Sequence, residues 1–257
     1  MMAQDLLETR ALTVEIAGKQ VCRDLALLVK PGECWGILGV NGVGKTTLLH
    51  TLAGLRSPAA GEILIEGEKL AEITRKRAAR KIGLLPQSSE DPFPSTLLET
   101  ALIGRHPYLE RLAWESAADE AIAKRALAEV GLGGMHDRLA HTLSGGERRL
   151  LALATLLTQN PPLYLLDEPS NHLDLHQQIA VLDLLRERER SGTAMIMVLH
   201  DVNLAVRYCN RILLLYGDGE TEQGDTGAII NEDRLSRLYR HRVVALAGRD
   251  RSVFIPG

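Results

Sequence analysis

Short apolar runs alternate with longer amphipathic ones along this chain. CWGIL (34–38) is five residues long, apolar, and stops at Gly39, as a strand covered on both faces should. KIGLLP (81–86), PLYLLDE (162–168), TAMIMVLH (193–200) and RILLLY (211–216) share that form. Residues 10–38 read as strands broken by turns at Ala17-Gly18 and Pro31-Gly32. GEILIEG (61–67) alternates between glycines, which marks a partly exposed strand. Helical periods run from about Lys45 to Ala53 and through LHQQIAVLDLLRERER (175–190). From about Gln87 to Ala140 strand signals vanish, and WESAADEAIAKRALAEVGL (114–132) reads as helix with Gly131 and Gly133 as stops. The tail from about Asp225 is expected to hold one short helix and an extended end, SVFIPG. Buried strands alternating with helices predict an α/β fold on a mainly parallel sheet, interrupted by a helical insertion.

One junction breaks both patterns. GVNGVGKTTLLHTLAG (39–54) puts four glycines into sixteen residues and then adds an apolar run. A helix would not tolerate the glycines, and a solvated loop would not need the apolar run. Together they describe a glycine loop feeding a helix. Gly39 to Thr46 matches G-x-x-x-x-G-K-[ST], with a strand before it and a helix after it. Glycines let backbone N–H groups converge on phosphate oxygens, and the helix N-terminus adds partial positive charge. Gly39, Asn41, Gly42, Gly44, Lys45, Thr46 and Thr47 are therefore the candidate nucleotide contacts. Lys45 would neutralise the β- and γ-phosphates, and Thr46 would place its hydroxyl on Mg²⁺. A second feature agrees. The strand LYLLDE ends in two carboxylates, Asp167 and Glu168. The first suits a Mg²⁺ ligand and the second a base that activates water. Alone, such a pair could equally cap the next turn. Beside a phosphate loop, adjacent carboxylates gain a reason to be buried.

Composition changes this picture little. The 257 residues are 45% hydrophobic and 25% charged, with a net charge of −3, so no nucleic-acid partner is expected. Three scattered cysteines form no metal spacing and no disulfide framework. No run approaches the ~18 apolar residues of a membrane span. The N-terminal MMAQDLLETR, with acids ahead of any apolar core, does not read as a signal peptide. The chain is expected to be soluble, with any membrane part on another polypeptide.

Thr142-Leu143-Ser144-Gly145-Gly146-Glu147 precedes the helix RRLLALATLL. Ser144 and Glu147 have capping-box spacing and could simply start that helix. Capping does not require two glycines, which instead expose N–H groups to a close ligand. LSGGE, about twenty residues before YLLDE, resembles the signature motif of ABC-transporter ATPase subunits. The phosphate loop, signature, acid pair and SNHLD occur in that family's order, and the resemblance spans about residues 10 to 220. It implies a P-loop NTPase (RecA-like) core with an antiparallel β subdomain. On that reading 1–257 is one ATPase domain. Residues 1–86 and 160–225 form the nucleotide-binding core, 87–159 the helical subdomain, and 226–257 a C-terminal extension.

The resemblance also implies roles. Gln87 matches a loop glutamine that contacts Mg²⁺ or water. Ser170-Asn171-His172-Leu173-Asp174 resembles that family's D-loop, which implies that Asp174 contacts nucleotide, and Asp174 could also cap the following helix with Gln177. His200 resembles the histidine that touches the γ-phosphate. Glu168, His200 and Gln87 would then be catalytic; Thr46, Gln87 and Asp167 would hold Mg²⁺; Ser144, Gly145 and Gly146 would bind the ATP of a second copy. Three departures stand out. Ile16 occupies the place where the family often stacks an aromatic on adenine, Glu147 stands where glutamine is common, and Arg149 stands where another glutamine often sits.

The run Phe93-Pro94-Ser95-Thr96, then Gly104-Arg105-His106-Pro107-Tyr108, is similar to subunits serving iron-siderophore, haem and cobalamin importers, as is the ending FIP. Arg105 and Tyr108 could also merely end a helix and start a loop. The resemblance implies an ATP-hydrolysing importer subunit on the cytoplasmic face of the membrane. Its partners would be a permease, a second copy of itself and a separate substrate-binding protein. The competing reading is a soluble ABC ATPase acting on ribosomes, DNA or cluster assembly. A single cassette without coiled-coil insertion or basic tail disfavours it. A regulatory module without turnover is disfavoured by Glu168 and His200.

Overall fold

The computed structural model describes residues 5–87, 94–110, 113–248 and 251–257. The chain opens with strands β1 (Leu7–Ile16), β2 (Lys19–Leu25), β3 (Leu28–Val29) and β4 (Cys34–Leu38), followed by helix α1 (Lys45–Leu52). Strands β5 (Ala60–Ile65) and β6 (Glu68–Lys69), helix α2 (Arg75–Lys81) and strand β7 (Ile82–Leu85) come next. Helices α3 (Leu97–Leu102), α4 (Ala117–Glu129) and α5 (Gly145–Gln159) make up the insertion. Alternation resumes with β8 (Leu163–Asp167), α6 (Leu175–Arg190), β9 (Ala194–Val198), α7 (Val202–Tyr208), β10 (Arg211–Leu215) and β11 (Thr221–Asp225). The end holds α8 (Thr226–Ile229), α9 (Glu232–Tyr239), β12 (Val243–Leu246) and β13 (Val253–Pro256).

The main sheet has the order β11-β10-β4-β9-β8-β7. All its pairs are parallel except β10–β11. A second, antiparallel sheet has the order β2-β1-β5-β6, with β3 also on β1. Alternating residues of the main strands enter two separate cores. Trp35, Ile37, Leu163, Leu165, Ile196 and Val198 pack toward the antiparallel sheet and α1. Cys34, Leu38, Tyr164, Leu166, Met195 and Met197 pack toward the helices on the other face. Burial on both faces explains why these strands read as unbroken apolar runs. The mainly parallel sheet, the antiparallel β unit and the helical insertion expected from the sequence are all present.

Two expectations need correction, and one helix is new. The helix expected over 114–132 spans 117–129, because Ser116 and Asp119 form a capping box that fixes its start and leaves Trp114 outside, 89% exposed. Helix α2 gave no periodic signal because it buries no residue. The tail holds two helices and a hairpin rather than one helix and an extended end. Asn231 caps α9, which buries Leu235 and Leu238, and β12 pairs antiparallel with β13. No helix among the described residues is long and apolar enough to cross a membrane.

The start of α5 sets the conformation of the glycine turn before it. The Ser144 hydroxyl accepts from Glu147 N at 3.2 Å, and Ser144 N donates to the Glu147 carboxylate at 2.8 Å. Arg138 donates to the same carboxylate at 2.7 Å. The Ser144 backbone N–H, then Arg138 and the Ser144 hydroxyl, hold the Glu147 carboxyl down at about 2, against an ordinary 4.5. Glutamate, where the family often has glutamine, therefore gains a cationic partner here. A depressed carboxyl contributes stability above its ordinary range and loses it as the pH falls toward the native value. Urea midpoints measured between pH 5 and 2 should fall less steeply for Glu147→Gln than for the wild type; equal slopes would show that the pair contributes nothing.

Candidate functional site

Four neighbouring strands of the main sheet, β4, β9, β8 and β7, run parallel, so their carboxyl ends share one edge. Gly39 follows β4, His200 lies just past β9, Asp167 ends β8 with Glu168 beside it, and Gln87 lies just past β7. In open parallel sheets, ligands bind at that edge.

The loop after β4 could not carry side chains at its glycines. Gly42 and Gly44 have φ of 75° and 106°. A Cβ on Gly44 would lie 2.4 Å from Val21 Cγ2, and one on Gly39 would lie 2.8 Å from Leu215 O. Helix α1 starts at Lys45 with no side-chain cap and no acid in its first turn. Its free N–H groups therefore favour an anion. Lys45 is only 6% exposed, and its ammonium donates to Gly39 O at 2.8 Å and Val40 O at 3.1 Å. Burial lowers its pKa, and the charges of Glu168 and Asp167 oppose that shift.

Asp167 is wholly buried, and neither carboxylate oxygen has a hydrogen-bond partner. Burial pushes its carboxyl up; the Thr46 hydroxyl opposes this, though it forms no hydrogen bond of ordinary geometry. An unpaired buried carboxylate costs on the order of several kcal/mol. That cost fits a divalent cation held by oxygen ligands, with Asp167 and Thr46 as donors of the right kind. Gln87 is elsewhere engaged: its amide donates to Glu168 Oε1 at 3.1 Å.

Glu168 is the most constrained residue of the edge. Its φ is +52°, a left-handed conformation that needs support outside glycine. Its N–H donates to Val198 O at 3.1 Å, which ties it to β9. Oε1 also meets His200 Nε2, and Oε2 accepts from Asn171 Nδ2 at 2.8 Å. Gln87, Glu168 and His200, expected to act together, are thus in direct contact. The sequence reading assigned no role to Asn171, although its place three residues after Glu168 was a usable signal.

The Ser144–Gly146 turn faces outward. A Cβ on Gly145 would meet nothing within 4 Å, whereas one on Gly146 would lie 3.2 Å from His172 O. Asp174 caps α6, accepting from Gln177 N at 2.8 Å. No hydrogen bond among the described residues joins this turn to residues 39–47. Ile16 is half-buried at the end of β1. Phe93 lies outside the described residues. Gly104 sits against α5, where a Cβ would be 2.3 Å from Thr155 O. Arg105 pairs with Asp119 at 2.7 Å and lies 4.2 Å from the Tyr108 ring centroid. Arg105 and Tyr108 therefore knit the helical insertion together.

A family model described as ABC transporter matches residues 22–171. The chain is 37% identical over 238 residues to the petrobactin import ATP-binding protein of Bacillus anthracis, covering 92% of this chain and 87% of that protein. It is 38% identical over 245 residues to the hemin import ATP-binding protein of Nocardia farcinica, covering 93% and 84%. Among solved structures, it is similar to a chain of a metal-chelate type ABC transporter in an inward-facing conformation. That match has a TM-score of 0.85 at 27% identity and covers 98% of each chain.

Asn171→Ala frees Glu168 Oε2 while leaving the phosphate loop intact. Hydrogen bonds to charged groups contribute about 1.5–3 kcal/mol, so the variant should lose roughly tenfold or more in kcat with little change in ATP affinity. An unchanged kcat would show that the contact does not hold the carboxylate for chemistry.

Proposed function

This chain belongs to the ABC transporter family of ATP-binding subunits, which hydrolyse ATP, and on that basis we propose that it powers a metal-chelate importer. The observation that carries this reading is the single sheet edge that gathers Lys45, Asp167, Glu168, Gln87 and His200. The likeness to petrobactin, hemin and metal-chelate transport proteins supports a siderophore, haem or other metal-chelate cargo. The subunit works at the cytoplasmic face of the membrane with a separate permease and a substrate-binding protein.

Two copies close head to tail on two ATP molecules. Gly39, Asn41, Gly42 and Gly44 shape the loop whose N–H groups receive the phosphates, together with Thr46 and Thr47 at the head of α1. Nucleotide binding draws the Lys45 ammonium off the Gly39 and Val40 carbonyls and onto the β- and γ-phosphates. Ser144, Gly145 and Gly146 of the second copy complete the pocket, with Asp174 at the interface. Ile16 gives adenine an apolar contact in place of a stacked ring. Thr46 and Asp167, with Gln87 beside them, would hold Mg²⁺, which when bound would supply positive charge against the phosphates.

Glu168 is the general base. Its Oε1 is shared by Gln87 and His200. The γ-phosphate recruits His200 away, which frees Oε1 to take a proton from the attacking water. Asn171 keeps hold of Oε2, so the carboxylate does not swing as it is released. Hydrolysis reopens the dimer, and closure and opening drive alternating access in the permease.

Lys45→Ala should abolish ATP binding, because it removes the phosphate counter-charge; unchanged affinity for labelled ATP would sink that role. Glu168→Gln should keep binding and lose turnover by roughly 10²–10⁴-fold, the range of a general base. The same variant, captured with ATP from detergent-solubilised native membranes, should bring a polytopic membrane protein with it. Recovery of ribosomes, DNA or soluble assembly factors would overturn the transporter role and leave the ATPase chemistry standing.

A further inference from the structure

Arg149 is a buried charge that the mechanism above leaves unused. It lies in the first turns of α5, five residues past Ser144, and is 6% exposed. Its guanidinium faces five backbone carbonyls in two separate loops. Nη1 donates to Pro86 O and, at 3.4 Å, to Gln87 O. Nη2 donates to Asp167 O and, at 3.0 Å, to Glu168 O, while Nε reaches Pro169 O at 3.4 Å. None of its hydrogen bonds goes to a carboxylate. Burial lowers the group to about 10, so it stays charged at neutral pH.

Carbonyl partners make this arrangement mechanical. A carboxylate could follow the guanidinium by rotating its own side chain. A backbone carbonyl can follow only if the main chain moves. The two loops held in this way carry Gln87 and Glu168, whose side chains bond to each other at 3.1 Å. One of those residues, Glu168, sits at φ +52° and needs outside restraint. The other end of the same helix segment is the Ser144–Gly146 turn, where Gly146 packs against His172 O. The family often places glutamine at this position. A glutamine amide has two donor hydrogens and cannot serve five acceptors, whereas a planar guanidinium has five.

We infer that Arg149 is a positioning residue that ties the Gln87 and Glu168 main chains to helix α5 and so holds the hydrolytic carboxylate in place. The inference rests on the proposed role of Glu168 as base.

The test is a double-mutant cycle on the full chain, read by steady-state ATPase assay and labelled-ATP titration. Arg149→Met keeps length and bulk but removes every donor. Its kcat should fall at least tenfold, while the Kd for ATP stays within about twofold, because no bond from Arg149 reaches residues 39–47. Arg149→Lys, which keeps the charge and loses the fork, should retain an intermediate kcat. In a Glu168→Gln background, Arg149→Met should add less than about twofold to the loss, since the base it positions is already gone. Equal losses in both backgrounds, or a weakened ATP Kd that accounts for the lost rate, would overturn the inference and leave Arg149 a general support of the fold. If Arg149→Met does not fold by circular dichroism, the Arg149→Lys cycle decides by the same additivity criterion. Wild-type turnover in Glu168→Gln alone would instead remove the premise, and that outcome appears in the single variant whatever Arg149 does.

Discussion

The architecture depends on burying both faces of the parallel strands. Once β4, β9, β8 and β7 are covered by helices on one side and by the antiparallel sheet and α1 on the other, no unpaired charge can sit at mid-strand without a large cost. The chemistry must move to a strand end. Parallel pairing then puts all four carboxyl ends on the same edge, with the loops that leave them in reach of one another. Lys45, Asp167, Glu168, Gln87 and His200 come from widely separated stretches of chain. They meet because each stretch leaves the sheet at its first opportunity to meet water.

Among the described residues, that edge combines an unpartnered carboxylate with several other costly arrangements. The Asp167 carboxylate has no partner, and Lys45 is folded back on its own loop. Helix α1 begins without a cap, and Glu168 keeps a left-handed backbone. Each of these costs free energy in the isolated chain, and a phosphate group with a divalent cation would relieve the first three together. The fourth is supported from behind, by Val198 on β9 and by Arg149 on α5. On the proposed function, the groups that would face nucleotide are left open, while Glu168, the proposed base, is braced by the protein itself.

The parallel strands, the phosphate loop and α6 were legible because their signals are local. Apolar runs ending at glycine or acid, loop spacing and a capping aspartate all lie within a few residues of one another. Contacts between distant segments were less accessible. Asn171 bonds Glu168 across one turn, and its role depends on a backbone conformation that no spacing reveals. Arg149 was noticed only as a departure from the family's glutamine. A charge on the buried stripe of an amphipathic helix is the available warning, but its five acceptors lie 62 and 63 residues upstream and 18 to 20 residues downstream. Helix α2 escaped because an exposed helix leaves no apolar period to read. The tail was simplified because α9 buries only two leucines, Leu235 and Leu238.

Ser144 shows why a structural and a functional reading of one motif need not compete. The capping box is formed, so the S-x-x-E spacing does start the helix. The same box fixes the turn in which Gly145 and Gly146 present their backbone outward. At Gly145 nothing fills the space a Cβ would take, and at Gly146 the backbone of His172 lies close. An uncapped start would let that turn fray, and the glycines, which lose the most entropy on ordering, would be the first to do so. On the proposed function, capping is thus what would let the glycine turn act as a preformed anion contact. Glu147 strengthens that condition, because its second carboxylate oxygen reaches Arg138 and anchors the cap to the segment before it. The glycines supply access, the cap supplies order, and helix α5 joins both to the carboxylate edge of the sheet.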